Sequence, residues 1–272
     1  MKHTWNKTIK KIKKHQFLFE ELVKRDFKQK YKGTVLGMAW SILSPLLNLL
    51  VMKLIFTQFF GRNTPHYTTY LFAGNVLFSY FRESTKGGMN ALLANKNIFT
   101  KINVPKYIFL LSKNVSTLIN LGLTMTVFFL FAALDGIRFG WHFLALAYPI
   151  ICLVLLCVGM GLILSALQVF FRDTKYLYDV FLTLLHYASA IFYRVDGYSP
   201  EVQRIFLLNP VYCAIKYVRI ITIDGTIPSM NFHLLLLGYA LAAVLLGGLI
   251  YKKKNHKFLD HFRSPVIFRA ND

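Results

Sequence analysis

Phe143–Phe171 reads FLALAYPIICLVLLCVGMGLILSALQVFF, a run without a single Asp, Glu, Lys or Arg. A helix needs about 20 mostly apolar residues to cross the hydrocarbon core of a bilayer, and this stretch exceeds that length. Five others approach or exceed it: Val35–Phe60, His66–Thr85, Tyr107–Leu134, Tyr176–Phe192 and Phe232–Tyr251. The second and fifth of the six meet the criterion least well. The expected fold is all-α, a polytopic membrane protein with six transmembrane helices.

Basic residues set the expected orientation, because inner loops beside spans retain Lys and Arg. The arm before the first span carries Lys2, Lys7, Lys10, Lys11, Lys13, Lys14, Lys24, Arg25, Lys28, Lys30 and Lys32. The gap between spans two and three adds Lys86, Lys96, Lys101, Lys106 and Lys113. The next inner gap adds Arg172 and Lys175, and the tail adds Lys252, Lys253, Lys254, Lys257, Arg263 and Arg269. Opposite gaps hold only Arg62, Arg138 and, along one extended segment, Arg194, Arg204, Lys216 and Arg219. Both termini are therefore expected on the cytoplasmic side. Residues 1–34 form the arm, 35–251 the membrane domain and 252–272 a basic tail. The net charge of +20 is divided among membrane-adjacent segments, where it meets anionic headgroups, which argues against a nucleic-acid partner. The first apolar run begins only at Val35 and is too long for a signal-peptide core, so no cleavable leader is expected.

Trp5, Ile9, Ile12 and Phe19 recur at helical spacing among lysines. They read as a helix lying in the membrane interface or as a flexible basic tail. A second amphipathic piece places Phe19, Leu22, Val23 and Phe27 on one side, with Glu21, Lys24, Arg25 and Lys28 around it. It runs to Gly33 and Gly37, where glycine eases the turn into the bilayer. Gly87–Lys106, GGMNALLANKNIFTKINVPK, is too polar to span and too apolar for a solvated tether. Met89, Leu92, Leu93 and Ile98 predict a short helix, about 88–105, whose apolar face docks on another subunit or on its own bundle. Pro105 is expected in the first turn of the third span. Tyr193–Asn231 is too long for a plain connection. Its apolar part, Ile205–Ile223, is broken at Asn209–Pro210 and carries Lys216 and Arg219. A re-entrant helical pair at about 200–225 on the outer side keeps the tail inside.

Other residues read as structural. Arg172 sits at a helix C-terminus and Asp173 is placed to N-cap the next helix. Lys53 is expected to reach the interface from the end of the first span. Cys152, Cys157 and Cys213 show no paired spacing for a metal or a redox dithiol. Asp179 and His186 share a helix face about 10 Å apart by helical rise, too far for a direct hydrogen bond, so a membrane-embedded transferase or hydrolase is the weaker alternative.

Four blocks carry a resemblance over nearly the whole chain: LVKRDFKQKYKGTVLGMAWSILSPLL at Leu22–Leu47, LLANKNIFTKINVPKYIFLLS at Leu92–Ser112, LQVFFRDTKYLYDV at Leu167–Val180 and LLNPVYCAIKYVR at Leu207–Arg219. In their order and spacing the chain resembles the membrane subunits of bacterial ABC exporters for polysaccharide, O-antigen, capsule and teichoic acid. The resemblance implies a six-span half-transporter that forms a homodimer and binds two copies of a cytosolic ATPase, with no cofactor in this chain. It implies an interface helix in the arm and a coupling helix at Leu92–Pro105, with Leu92, Leu93, Asn95, Lys96, Ile98, Lys101, Val104 and Pro105 as its residues. It also implies re-entrant helices at Glu201–Ile223, carrying Asn209, Pro210, Lys216 and Arg219, and a lateral opening between spans one and five for a lipid-linked polymer. Two positions depart from the family pattern. Ala190-Ile191-Phe192-Tyr193 lacks the proline often found before the aromatic pair, and Lys216 stands where an acid is common.

No G-x-x-x-x-G-K-[ST] run occurs, so the phosphate cradle of a P-loop is missing and nucleotide hydrolysis is assigned to a separate chain. The expected cargo is a polysaccharide or polyol-phosphate polymer, lipid-linked, passing aromatic faces. Phe78, Tyr80, Phe81 and Tyr187 are the candidate aromatics, although such rings also fill cores and interfacial belts. An exporter of drugs or small lipids has the same architecture and is separated from polymer export by the four blocks.

Overall fold

The computed structural model describes residues 15–57, 65–99, 101, 102 and 104–263, with side chains to residue 253 apart from Phe99. Among them every regular element is helical. Helix α1 (Gln16–Gln29) lies in the arm. A 3-10 turn at Gly37–Ala39 leads into α2 (Trp40–Phe56), followed by α3 (Tyr67–Ala94), the single turn α4 (Lys96–Phe99) and α5 (Tyr107–Leu134). A second 3-10 turn, Trp141–Leu146, leads into α6 (Ala147–Phe170). Then come α7 (Thr174–Ala188), α8 (Pro200–Leu207), α9 (Pro210–Thr222) and α10 (Met230–Arg263). Trp5, Ile9 and Ile12 lie outside the described residues.

Among the described residues four stretches are long and apolar enough to cross a membrane: Gly37–Phe56, Tyr107–Leu134, Trp141–Phe170 and Met230–Lys253. Helices α8 and α9 together meet the same test as one broken element, bent by 109°. Helix α3 has the length, at 28 residues, but carries Arg82, Glu83 and Lys86 within it. Helix α7 has 15 residues, about 22 Å by helical rise, and so is shorter than the expected fifth span.

Helix α6 is the hub, packed against α3 and α10. Close approach is possible because small residues meet at the crossings, which is how apolar helices associate when burial from water does not drive them. A Cβ on Gly159 would lie 2.3 Å from the Ala243 carbonyl carbon, and one on Gly247 would lie 2.5 Å from the Gly159 carbonyl oxygen. On the other side of α6, Gly161 faces Gly88 of α3, where a Cβ on Gly88 would lie 3.0 Å from the Gly161 Cα. The two glycines of the GMG triplet thus serve different neighbours. The remaining core is filled by Phe72, Phe78, Phe128, Leu153 and Tyr217, among others.

Two boundaries differ from the sequence expectation. Helix α3 does not stop at Thr85 but runs to Ala94, because Met89, Ala91 and Leu92 keep an apolar stripe buried through its last turns. Lys86, assigned to the loop, is therefore carried on a helix, as is Lys113 of α5. Helix α10 likewise continues past Tyr251 to Arg263. Lys53 is exposed in the last turn of α2.

Candidate functional site

One end of the bundle gathers the C-terminal turns of α3 and α6, the start of α5, Tyr251 of α10 and the arm. The stripe of α1 built from Leu18, Phe19 and Leu22 packs into a cluster with Leu92, Val104, Ile108, Phe109 and Val169. The amphipathic face read from the sequence thus has a protein partner. Beyond α1, Gly33 and Gly37 adopt positive φ, +80° and +50°, at the turn where glycine was expected. The arm is fastened there: Tyr31 donates to Asn120 Oδ1 at 3.0 Å, and Lys30 Nζ meets the Glu83 carboxylate at 2.7 Å.

The segment expected as one helix over about 88–105 divides instead into three parts. Leu92 and Leu93 belong to α3, Asn95 turns the chain, and Lys96 and Ile98 lie on the four-residue α4. The break follows from Asn95, whose side chain folds back to donate to the Ala91 carbonyl at 2.8 Å and so offers the backbone an alternative to helix. Pro105 does not occupy the first turn of the next helix. It precedes Lys106, the N-cap residue of α5. Leu92, Asn95 and Val104 are buried, whereas Lys96, Asn97, Lys101 and Ile102 are exposed, Ile102 by 54 %. Anchoring residues therefore alternate with residues presented outward. Ile102 is an outward residue that periodicity did not single out.

At the α6–α7 turn Arg172 follows the end of α6, and Asp173 holds the N-cap position of α7 without a side-chain cap bond. Thr174 Oγ1 donates to the Phe171 carbonyl at 2.6 Å, so the turn is closed by threonine and not by the expected aspartate.

At the opposite end, α9 inserts into the core and its polar residues bind the frayed terminus of α7. Asn209 is the N-cap of α9, accepting from the backbone N–H of Val211 and Tyr212, with Pro210 at the first helical position. Its Nδ2 donates to the Ala188 carbonyl at 3.2 Å and Ser189 Oγ at 3.0 Å. Arg219, 7 % exposed, donates to the carbonyls of Ala190 (2.9 Å), Ile191 (3.0 Å) and Tyr70 (3.1 and 3.2 Å). Its guanidinium also lies 3.4 Å from the centre of the Tyr70 ring. These bonds hold Ala190 at φ +48°, a left-handed conformation that costs a non-glycine residue energy and persists only where the surroundings enforce it. Gly74 makes room for the clamp, since a Cβ there would stand 2.8 Å from Arg219 Nη2. Lys216 is half-buried, 4.0 Å from Asp196 Oδ1, and shares a pocket of about 350 Å³ with Arg194 and Asp224. Burial pushes the Asp224 carboxyl above its ordinary range, with Arg194 opposing.

Of the four candidate aromatics, Phe78, Tyr80 and Phe81 are buried within the chain and only Tyr187, 62 % exposed, faces outward. Tyr80 donates to Asn114 Oδ1 at 3.0 Å and borders an internal cavity. Asp179 and His186 engage different residues of α3: Asp179 pairs with Lys86 at 2.7 Å, and His186 Nδ1 lies 3.4 Å from Arg82 Nη2. Arg82 and Glu83 were hidden inside an apolar-looking span, yet each fastens α3 to a neighbouring segment. Their signal was the charge itself, since an ionisable residue at membrane depth requires a partner.

A family model described as an ABC-2 type transporter matches residues 18–223, from α1 through α9. The chain belongs to the ABC-2 type transporter family. Both ends just described lie within the matched region, the α8–α9 end almost entirely and the arm end except for Tyr251. Among its relatives is the O-antigen export system permease protein RfbA of Myxococcus xanthus, 25 % identical over 256 residues that cover 93 % of this chain and 98 % of the relative. The RfbA protein of Klebsiella pneumoniae is 27 % identical over 251 residues (90 % and 95 % covered), and the polysialic acid transport protein KpsM of Escherichia coli 22 % over 254 residues (88 % and 94 %).

Proposed function

We propose that this chain is the permease subunit of an ABC exporter that moves a polysaccharide or teichoic acid-type polymer, lipid-linked, outward across the bacterial plasma membrane. The observation that carries the reading is near end-to-end similarity to permeases named for O-antigen export and polysialic acid transport, together with the family match. In this reading two copies form the path, each with six spans. Helix α3 supplies the second and α7, extended by residues 189–192, the fifth. Both termini are cytoplasmic, and α8 and α9 form a re-entrant pair on the outer side. Two separate ATPase chains supply the energy and dock on the exposed Lys96, Asn97, Lys101 and Ile102. Closure of the ATPases differs in binding energy between the two states of the path, which is what any such coupling requires.

The test is Ile102→Glu. Because Ile102 is exposed, the charge leaves the bundle intact but lies on the docking surface. Co-purification with the ATPase is expected to weaken and ATP turnover to proceed without polymer export. Unchanged export in this variant, with the chain inserted at normal abundance, removes the coupling assignment.

A further inference from the structure

Between α1, α3 and α5 lies a cavity of about 760 Å³. Five of its lining side chains are cationic: Arg25, Lys30, Arg82, Lys86 and Lys113. Only Asp26 and Glu83 are acidic, and each is already engaged, Asp26 by Arg25 and Glu83 by Lys30, both at 2.7 Å. Lys86 turns away to Asp179 at 2.7 Å. Two cations are left without a carboxylate. Among the described residues Arg82 has only an imidazole nitrogen at 3.4 Å and the face of Phe78 at 5.0 Å. The ammonium of Lys113 has no acidic partner among the described residues.

Lys113 is also held in place. A Cβ on Gly87 would lie 2.7 Å from Lys113 Cγ and 3.0 Å from Cε, so the missing side chain at 87 forms the groove in which the lysine stem rests. At the same cavity Asn95 is 4 % exposed, and its Oδ1 is buried without a hydrogen-bond donor among the described residues. Such an acceptor calls for an O–H or N–H donor, a water or a ligand hydroxyl, and not for an anionic phosphate oxygen. The cavity adjoins a second one of about 370 Å³, the two sharing Lys30, Glu83, Thr117 and Asn120. Beyond the Lys30–Glu83 pair, the polar lining of the second is uncharged amides and hydroxyls, among them Asn48, Asn75, Ser79 and Thr124. Its chemistry suits a hydroxyl-rich group, as the first suits an oxyanion.

We propose that the joined cavities bind the headgroup of a phosphate-bearing lipid, the phosphate between Lys113 and Arg82 and the hydroxylated part beyond it beside Asn75 and Asn120. The placement at the membrane surface rests on the permease reading. Two sources share this chemistry, a bulk anionic lipid and the polyprenyl phosphate of a lipid-linked polymer.

The full-length chain is reconstituted into phosphatidylcholine nanodiscs containing either phosphatidylglycerol or undecaprenyl phosphate, and retained lipid is counted by native mass spectrometry. The wild type is expected to hold one acidic lipid per protomer. Lys113→Gln combined with Arg82→Gln lowers that retention roughly tenfold, while Lys113→Arg keeps it. Retention of phosphatidylglycerol alone identifies the bulk lipid, and of undecaprenyl phosphate alone the polymer carrier. Retention equal in the wild type and the double variant, or lost as fully in Lys113→Arg, overturns the proposal. A circular-dichroism spectrum matching wild type establishes that the double variant is folded. Neither export nor ATPase docking enters this measurement, so its failure leaves the permease reading to its own test.

Discussion

Replacing Gly74 by alanine should destabilise the protein only while Arg219 is present. An alanine in a helix interior is ordinarily favoured over glycine by about 1 kcal/mol. Here its methyl would stand 2.8 Å from Arg219 Nη2, the atom that donates to Tyr70 and Ile191 at 3.1 and 3.0 Å. Hydrogen bonds from a charged donor contribute roughly 1.5–3 kcal/mol each. Displacing Nη2 far enough to lose one of them outweighs the helix gain by about 0.5–2 kcal/mol. In an Arg219→Met background Nη2 is gone and the helix gain is recovered, so the two sites should couple by roughly 2 kcal/mol. The added contact with Ile191, at 3.2 Å, is common to both backgrounds and largely cancels in the cycle. The assay is the melting temperature of detergent-solubilised chain, followed by size-exclusion chromatography after heating. At about 2–4 °C per kcal/mol, the shift caused by Gly74→Ala should differ by roughly 4–8 °C between the two backgrounds. Equal shifts in both would refute the argument that Gly74 exists to admit the guanidinium.

Gly159→Leu should prevent assembly of the bundle, because the nearest atoms to its Cβ, at 2.3 to 2.5 Å, are backbone atoms of Ala243 and Val244 that cannot turn aside. Gly122→Ala, which meets nothing within 4 Å, is the matched control, and monodisperse elution from a sizing column separates the two. Leu22→Asp should release the arm, since burying a carboxylate where Leu22 is 3 % exposed costs several kcal/mol. Trypsin should then cut at Lys24 and Arg25 at least tenfold faster, with far-UV circular dichroism almost unchanged.

Much of the helical layout is legible along the chain because lipid imposes its own length and composition. Tyr107–Leu134, Trp141–Phe170 and Met230–Lys253 follow directly from that requirement. Helices α3 and α7 are less legible for opposite reasons. Arg82, Glu83 and Lys86 lower the apolar signal of α3, although Glu83 and Lys86 are each neutralised by a partner distant in sequence. Residues 189–192 extend the apolar run of α7, although the backbone there has already left the helix. Nothing local announces that departure: it depends on Asn209 and Arg219, which meet α7 only after the chain has turned back. Ala190 at positive φ is intelligible only with those two side chains in place. Phe78 and Phe81 show the same limit, because composition counts aromatic rings without revealing which side of a helix has neighbours.

The arm carries this point into the mechanism. Helical spacing identifies an apolar stripe on α1 but cannot distinguish lipid from protein as its cover. In the structure Leu22 shares one cluster with Leu92, Val104 and Val169, so the stripe binds together the end of α3, the segment that follows it and the end of α6. Tyr31 and Lys30 then tie the same arm to Asn120 and Glu83, about three helical turns inward of Ile108 on α5 and two and a half inward of Leu92 on α3. In the proposed coupling, a push on the exposed Lys96, Asn97, Lys101 and Ile102 is thus resisted by Leu92 and Val104, which are anchored behind them. It passes to the arm and through two polar contacts into the middle of α3 and α5. Individually those contacts are weak, the Lys30–Glu83 pair being about half exposed and worth less than about 1 kcal/mol. Weak links beside a rigid apolar anchor are what a part that must shift between two arrangements requires, since bonds too strong to exchange would hold it in one.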